Sequence, residues 1–203
     1  WPVLAGTDLW FALVATTGLV TLIFGASVAL FHDDLKAILA YSTISQLGLM
    51  VMLLGFATPA AAVAAIFHIL NHAAFKAALF MNAGIVDHET GTRDIRRLGG
   101  LAQLMPLTAV GGTLAAAAMA GLPPLGGFIS KEMMLEQSAH TVALGQPWLV
   151  PALAAIGAAL SVAYSLRYAI GLYVGRTRTG DVPAPHDPGA LMLGPSSLLA
   201  VLA

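Results

Sequence analysis

Five long apolar segments constrain this sequence more than any other feature, at residues 9–31, 35–56, 60–86, 101–140 and 148–174. A transmembrane helix needs about 20 consecutive apolar residues, and each segment reaches that length. None of them alternates apolar and polar residues with a period of two, and in lipid only a closed barrel hides the open edges of strands. The sequence therefore predicts an all-α fold, a polytopic transmembrane helical bundle that lies in the lipid bilayer.

The composition agrees with lipid rather than water as the main solvent. Charged residues make up 9% of the chain and hydrophobic residues 58%, whereas a soluble domain carries about 25% charged residues. The net charge of -1 gives no basic surface, so we expect no nucleic acid partner. Cysteine is absent, which excludes disulfides and thiolate sites. Because no phosphate-loop, dinucleotide-binding or nucleophile-elbow pattern is present, we also expect no cofactor.

The ends of the sequence suggest a piece of a longer subunit. Trp1 is not an initiator methionine, and no signal-peptide pattern follows it. At the other end, the apolar run at residues 191–203 is shorter than the roughly 20 residues that a span requires. We therefore expect a five-helix transmembrane unit over residues 1–188 and the start of a further transmembrane helix over residues 189–203.

The fourth segment, residues 101–140, is too long for one regular crossing. At 1.5 Å per residue it would extend about 60 Å, twice the hydrocarbon thickness of a bilayer. Its sequence GLPPLGG at residues 121–127 combines prolines that lack amide donors with glycines that weaken a helix. A helix break is therefore predicted at Gly121, Pro123, Pro124, Gly126 and Gly127.

Basic residues decide whether this segment crosses once or twice. They lie near three of the linkers, at Lys36, Arg93, Arg96, Arg97, Arg176 and Arg178. One broken span places all of these linkers on one side, as the positive-inside rule requires, whereas two spans would place the last two arginines outside. One broken span is favoured, which predicts five spans with the Trp1 end outside and the Arg176 region in the cytoplasm.

The third segment carries the strongest chemical feature. His68, His72 and Lys76 are spaced at i, i+4 and i+8, so they lie about 6 Å apart along a helix and within an arc of about 80°. Lysine can release its proton when it is removed from water, and histidine titrates near neutrality, so this row can pass protons. The alternatives are hydrogen bonds between helices and a lysine that extends to the membrane surface. No metal is expected, because a zinc protease motif needs glutamate where Ile69 stands.

A second group of titratable residues follows the predicted break. Lys131 lies just past it, where broken helices of transporters place functional groups. Glu132, Glu136 and His140 are spaced at i, i+4 and i+8 and form a stripe that runs outward, unless they are a local ion pair and interface residues. Lys36 is either a further relay member or an interface lysine. Polar residues that share one face of the second helix are more typical of packing than of a water path; these are Ser42, Ser45 and Gln46.

Three motifs in order resemble one family of membrane proteins. The stretches are DLKAILAYSTISQLG at residues 34–48, FHILNHAAFKAALF at 67–80 and GFISKE at 127–132. They are similar to stretches of the antiporter-like membrane subunits, a group that includes proton-pumping subunits of respiratory complex I and large subunits of Mrp-type cation/proton antiporters. The loop DHETGTRDIR at residues 87–96 looks closer to the A subunit of the Mrp antiporter than to complex I.

This resemblance implies a five-helix repeat with one discontinuous helix, the second of two inverted repeats. It implies a central proton relay of Lys76, His68 and His72, with Lys131 and Glu132 leading toward the outer exit. The expected activity is exchange of Na⁺ or another monovalent cation for H⁺ in a bacterial plasma membrane, together with other membrane subunits. That is secondary transport rather than enzyme catalysis; the alternative is a proton-pumping subunit of complex I or of a membrane-bound hydrogenase.

Overall fold

The computed structural model describes residues 4–176 and 185–203, and in these ranges the chain is helical with no β-strand. The helices are α1 (Asp8–Phe31), α2 (Leu35–Gly55), α3 (Pro59–Thr90), α4 (Pro106–Ala120), α5 (Gly126–Ala139), α6 (Leu149–Tyr173) and α7 (Ala190–Leu202). By length and composition α1, α2, α3 and α6 are each able to cross a membrane, while α4 and α7 are shorter apolar helices. The predicted all-α transmembrane fold is confirmed.

Local sequence explains where the first helices begin. Asp34 precedes α2, and its carboxylate accepts a hydrogen bond from the Ala37 amide at 2.9 Å. Thr58 does the same for α3 by accepting from the Ala61 amide at 3.1 Å, and Pro59 occupies the first helical position. These side chains satisfy amide groups that have no partner within the helix.

Two predicted boundaries were wrong. Helix α3 does not end at residue 86 but continues to Thr90, because polar residues beyond the apolar core do not interrupt a helix, and the Thr90 hydroxyl donates back to the Val86 carbonyl at 2.6 Å. The fourth segment does not become α-helical at residue 101. A single 3-10 turn covers Leu101–Gln103, and α4 begins at Pro106, whose fixed backbone angle suits a first helical position.

The predicted helix break is confirmed. Helix α4 ends at Ala120, Gly121 adopts the left-handed conformation with φ of 81°, and α5 begins at Gly126. Gly127 brings α5 against the end of α4, since a Cβ at this residue would lie 1.8 Å from the Ala118 carbonyl oxygen. The glycines and prolines between the two helices therefore end one helix and let the next start in close contact with it.

Contacts along α3 show that α4 and α5 follow one direction. Near the end of α3, Asn82 donates to the Thr108 carbonyl in the first turn of α4 at 2.8 Å. Farther back along α3, His68 contacts Ser130 of α5 at 2.9 Å. Met134, farther along α5, packs in one core cluster with Ala61 and Ala65 at the start of α3, whereas a hairpin would bring α5 back toward Asn82. The two helices therefore form one broken span, which together with the four long helices gives five spans over residues 4–176.

The basic residues gather at one end of the bundle, which we call the basic end. It contains the turn at residues 32–34, the loop at 91–105 and the end of α6. Three ion pairs tie these segments together: Arg93–Asp34 at 3.2 Å, Arg96–Asp33 at 3.3 Å and Arg167–Asp33 at 2.6 Å. A fourth, Lys36–Asp87 at 2.8 Å, joins the start of α2 to the end of α3 at the same end. The opposite end consists of the turn at residues 56–58 and the loop at 140–148, which contain no lysine or arginine. Trp1 and Arg178 lie outside the described residues.

Helix α7 lies against the broken span. Ala203, the residue that follows α7, accepts a hydrogen bond from the Gly126 amide at 3.0 Å, so the end of α7 reaches the break. The continuation of this helix as a further span stays a prediction.

Candidate functional site

Lys76 is buried in the middle of α3, with a relative exposure of 5%. Its ammonium group donates to the Leu39 carbonyl of α2 at 2.9 Å and to the Ser42 hydroxyl. Within the described residues no carboxylate forms an ion pair with it. Ser42, which the sequence pattern assigned to helix packing, is therefore a direct partner of the buried amine.

The two histidines continue along α3 from Lys76. His72 is one helical turn away and buried, and its Nε2 atom has no hydrogen-bond partner among the described residues. The imidazole ring of His68 follows, with the two ring centroids 6.1 Å apart. The structure therefore places the predicted row of His68, His72 and Lys76 on one buried face of α3.

His68 connects α3 to α2 and α5 through direct hydrogen bonds, and to α6 through Gln46. Its Nε2 atom lies 2.8 Å from the side-chain oxygen of Gln46, whose amide group donates to the Tyr164 hydroxyl at 2.8 Å. Since that amide oxygen can only accept, neutral His68 carries its proton on Nε2. Its Nδ1 atom, 2.9 Å from the Ser130 hydroxyl, is then the position that can accept a further proton.

Lys131 occupies a carbonyl site that the broken helix creates. Its ammonium group donates to the carbonyls of Met119 and Ala120, each at 2.9 Å, and to the Ser161 hydroxyl of α6. In a continuous helix these carbonyls would accept from the amides four residues later, but those residues are Pro123 and Pro124, which have no N–H. The two prolines thus both end α4 and leave the acceptors that hold the lysine.

Polar side chains lie between the two buried amines, and hydrogen bonds connect part of this row, from Tyr164 through Gln46 to His68. From Lys131 the row runs through Ser161 to the Tyr164 hydroxyl, with which Ser161 and Ser45 interact in addition to Gln46. Gln46 then leads to His68, and the imidazoles lead to Lys76. All of these side chains are buried, so His68, His72, Lys76 and Lys131 lie in one buried polar region, whereas Glu132 does not belong to it.

Sequence reasoning missed Tyr164 and Ser161. Both lie on α6, far along the chain from the motifs, and nothing in their local sequence distinguishes them from packing residues. Gln46 was considered, but it was assigned to packing. Its position in the middle of α2, on the same face as Ser42, is the signal that could have assigned Gln46 to the site.

The outward stripe and Lys36 have different surroundings. Glu132, Glu136 and His140 are exposed in this chain, and the two glutamates line, with Lys131, a groove of about 540 Å³ between α5 and α6. Lys36 lies at the basic end, where it pairs with Asp87 and its side chain is 40% exposed. This position agrees with an interface lysine, and within the described residues no hydrogen bond joins it to Lys76.

A comparison with known protein families covers most of the chain. Residues 3–161 match the family described as NADH:quinone oxidoreductase/Mrp antiporter, TM. The chain belongs to this family. The resemblance inferred from the three motifs is thereby confirmed.

Two curated relatives illustrate the similarity within the family. The chain is 52% identical over 203 residues to the A/B subunit of a probable K(+)/H(+) antiporter of Rhizobium meliloti, covering 99% of this chain and 20% of that protein. It is 41% identical over 220 residues to the A subunit of the Na(+)/H(+) antiporter of Bacillus subtilis, covering 100% of this chain and 28% of that protein. The chain thus spans between a fifth and a third of the length of these relatives.

Solved structures show the same helical arrangement. The Mrp complex of a Dietzia species superposes with a TM-score of 0.87 at 45% identity, over 98% of this chain and 21% of the matched chain. The membrane-bound sulfane sulfur reductase, an archaeal respiratory membrane complex, superposes with a TM-score of 0.84 at 29% identity, over 95% of this chain and 31% of the matched chain.

Proposed function

We propose that this chain is part of a membrane subunit that exchanges a monovalent cation for protons, and that it carries one proton half-path. The observation that supports the proposal is the row of buried polar side chains from Lys131 through Ser161, Tyr164 and Gln46 to His68, and along α3 to Lys76. Ionisable groups inside a membrane are costly and are generally functional. The activity is secondary transport, with no enzyme reaction of its own.

The chemistry of the individual groups supports proton transfer. Lysine and histidine side chains both take up and release protons, and histidine has two distinct ring nitrogens for doing so. His68 holds one ring nitrogen on Gln46 and presents the other toward Ser130, next to Lys131 in sequence. His72 has a buried ring nitrogen without a partner in the described chain, which is where a proton or a bridging water would be received.

The proposed relay consists of His68, His72, Lys76, Lys131 and Glu132, with Glu136 and His140 as the outward continuation. Of the two alternatives for Lys36, a relay member or an interface lysine, its ion pair with Asp87 at the basic end favours the interface lysine. The groove beside Lys131 supports an outward route, since it places Glu132 and Glu136 next to the buried amine. The basic end would face the cytoplasm of a bacterial plasma membrane, because lysine and arginine accumulate on that side.

The transported cation and the partner subunits are inferred from the relatives. Their names specify K⁺ in one case and Na⁺ in the other, so we propose a monovalent cation of this kind. The matched antiporter structure is a multisubunit complex, and we propose that this chain also functions with other membrane subunits. A subunit of a proton-translocating redox complex is the second candidate, supported by the similarity to the archaeal sulfane sulfur reductase.

Transport in membrane vesicles tests this proposal. The complete complex is expressed in cells that lack their own cation/proton antiporters, and a pH-sensitive dye monitors a respiration-generated ΔpH in everted vesicles. Adding Na⁺ or K⁺ should collapse the ΔpH, and should not do so when the other subunits are omitted. Absence of exchange with either ion, together with co-purified redox subunits, would overturn the antiport proposal in favour of the redox complex.

A further inference from the structure

Asp187, which lies just before α7, caps the first turn of α4. Its two carboxylate oxygens accept from the Leu107 amide at 2.9 Å, the Thr108 amide at 2.9 Å and the Thr108 hydroxyl at 2.7 Å. Met105, the residue at the N-cap position, supplies no side-chain hydrogen bond. A carboxylate from about 80 residues farther along the chain therefore performs the role that a local capping residue usually has.

The carboxylate of Asp187 is held in its ionised form. Partial burial by itself raises its pKa, but hydrogen bonds from Thr108 and from the Leu107 amide outweigh burial, and the net pKa lies below its ordinary value. A depressed pKa means that the cap contributes stability above the unfolded pKa of about 3.9 and loses it only as the pH falls through the lower folded pKa. The cap is therefore constant across physiological pH.

The contact network continues from this cap into the bundle. The Thr108 carbonyl accepts from Asn82 of α3 at 2.8 Å, and Asn82 in turn accepts from the Tyr173 hydroxyl of α6. Gly112 leaves room for this pair, since a Cβ there would lie 2.1 Å from the Tyr173 hydroxyl. Asn82, Thr108 and Tyr173 are all buried.

The order of donors and acceptors shows what this network can do. A backbone carbonyl stands between the Thr108 hydroxyl and Asn82, and it only accepts hydrogen bonds. A proton cannot be handed on through that link, so the network does not form a second proton route. It fixes the start of α4 against α3, against α6 and against the segment that precedes α7.

At the other end of α4, two backbone carbonyls bind the side chain of Lys131 of α5. The carbonyls of Met119 and Ala120 accept from its ammonium group, and α4 is a continuous helix of 15 residues between the two sites. An uninterrupted helix transmits a shift at one end to the other, because its hydrogen bonds fix the rise per residue. The position of the start of α4 therefore sets the position of the carbonyls around Lys131.

We propose that Asp187 is a positioning residue for Lys131, acting through α4. This inference rests on the proposed function, in which Lys131 takes part in proton transfer. The pH dependence of exchange tests this role, because loss of a contact that only stabilises the fold would leave the pH optimum of exchange unchanged. Near Asp187 the charged and titratable groups are His186 and Glu89 of α3, which contacts His186. Near Lys131 they are His68 of α3, which contacts the adjacent Ser130, and Glu132 and Glu136 of α5.

Substitutions of Asp187 in the complete complex provide the test. Asp187→Ala should lower exchange severalfold, because the carbonyls around Lys131 lose their fixed position, and should shift the pH optimum by at least about half a unit. Asp187→Asn should have an intermediate effect on both quantities, because its side-chain oxygen can still accept from Thr108 while its NH2 group, a donor, cannot accept from the Leu107 amide. Asp94→Asn is the matched control, since Asp94 is at the same end but pairs with Arg96 and does not contact α4, and it should leave both quantities unchanged.

A second variant covers the case in which Asp187→Ala does not assemble. Thr108→Val removes the hydroxyl contact but keeps both amide contacts, and should shift the optimum in the same direction by a smaller amount. An unchanged pH optimum in assembled Asp187→Ala, or in Thr108→Val where the former does not assemble, would overturn the inference. Failure of the proposed function is distinguishable, because then the wild-type complex itself exchanges no cation for protons.

Discussion

Replacing each buried lysine by methionine should have different consequences for stability at the two sites. Methionine is similar in length to lysine and fills an apolar site, so the two variants differ mainly in the hydrogen bonds that they leave unmade. Lys131→Met removes the ammonium group from the Met119 and Ala120 carbonyls. Lys76→Met removes it from the Leu39 carbonyl and from Ser42.

The loss of stability in each variant depends on whether the carbonyl oxygens that the lysine leaves find another hydrogen-bond donor. After Lys131→Met, the Ala120 carbonyl has no replacement donor, because residues 123 and 124 are prolines, and Met119 keeps only the Ser161 hydroxyl at 3.4 Å. A buried acceptor without a partner costs about 1–3 kcal/mol. After Lys76→Met, the Leu39 carbonyl still accepts from Ser42 at 2.9 Å and from Thr43 at 2.8 Å, so the change should be below about 1 kcal/mol. Both variants remove a buried amine, and the stability gained from this is the same for both. The difference in stability between the two variants therefore comes from the carbonyl acceptors.

Thermal unfolding of the detergent-solubilised complex, followed by fluorescence-detected size exclusion, measures this difference. Lys131→Met should lower the unfolding midpoint while Lys76→Met leaves it near the wild-type value, and both should lose cation/proton exchange. Equal midpoints, or a lower midpoint for Lys76→Met, would refute the idea that the lysine after the break satisfies the carbonyls of α4.

Two further predictions concern the opposite end and the groove. A cysteine in place of Gln146, in the exposed turn before α6, should react with a membrane-impermeant thiol reagent added outside the cell, and labelling from the cytoplasmic side alone would contradict the proposed orientation. Glu136→Gln should lower exchange severalfold and change its pH profile in a normally assembled complex, because this carboxylate lines the groove beside Lys131; wild-type exchange at every pH would restrict the outward route to Lys131 and Glu132.

The apolar segments and the positions of proline and glycine predicted most of the fold, because lipid strongly constrains the local backbone structure. A backbone in hydrocarbon must satisfy its own hydrogen bonds, so long apolar runs become helices, and the GLPPLGG sequence at residues 121–127 ends one. The same reasoning placed the end of α3 too early. Asp87 to Thr90 are polar, but a helix that leaves the bilayer continues in water as long as its own residues permit it.

The site was partly predictable for a different reason. His68, His72 and Lys76 share a helix face, and this spacing is visible in the sequence. Lys131 was predicted from its place after the break. The link between them depends on Tyr164 and Ser161, which come close only because α6 crosses α2 and α5. No local sequence pattern predicts how α6 packs against α2 and α5, so these two residues could not be distinguished from other polar groups on α6.

Lys76 must release and take up a proton during transport if the relay operates as proposed, and Lys76→Arg tests this most directly. Arginine keeps a positive charge at this position but stays protonated in proteins. In proteoliposomes containing the assembled variant complex, cation-driven proton movement should be lost as completely as in Lys76→Ala, while Lys36→Ala should retain most of it. Wild-type exchange by assembled Lys76→Arg would mean that a fixed charge is sufficient, and would contradict a relay through Lys76.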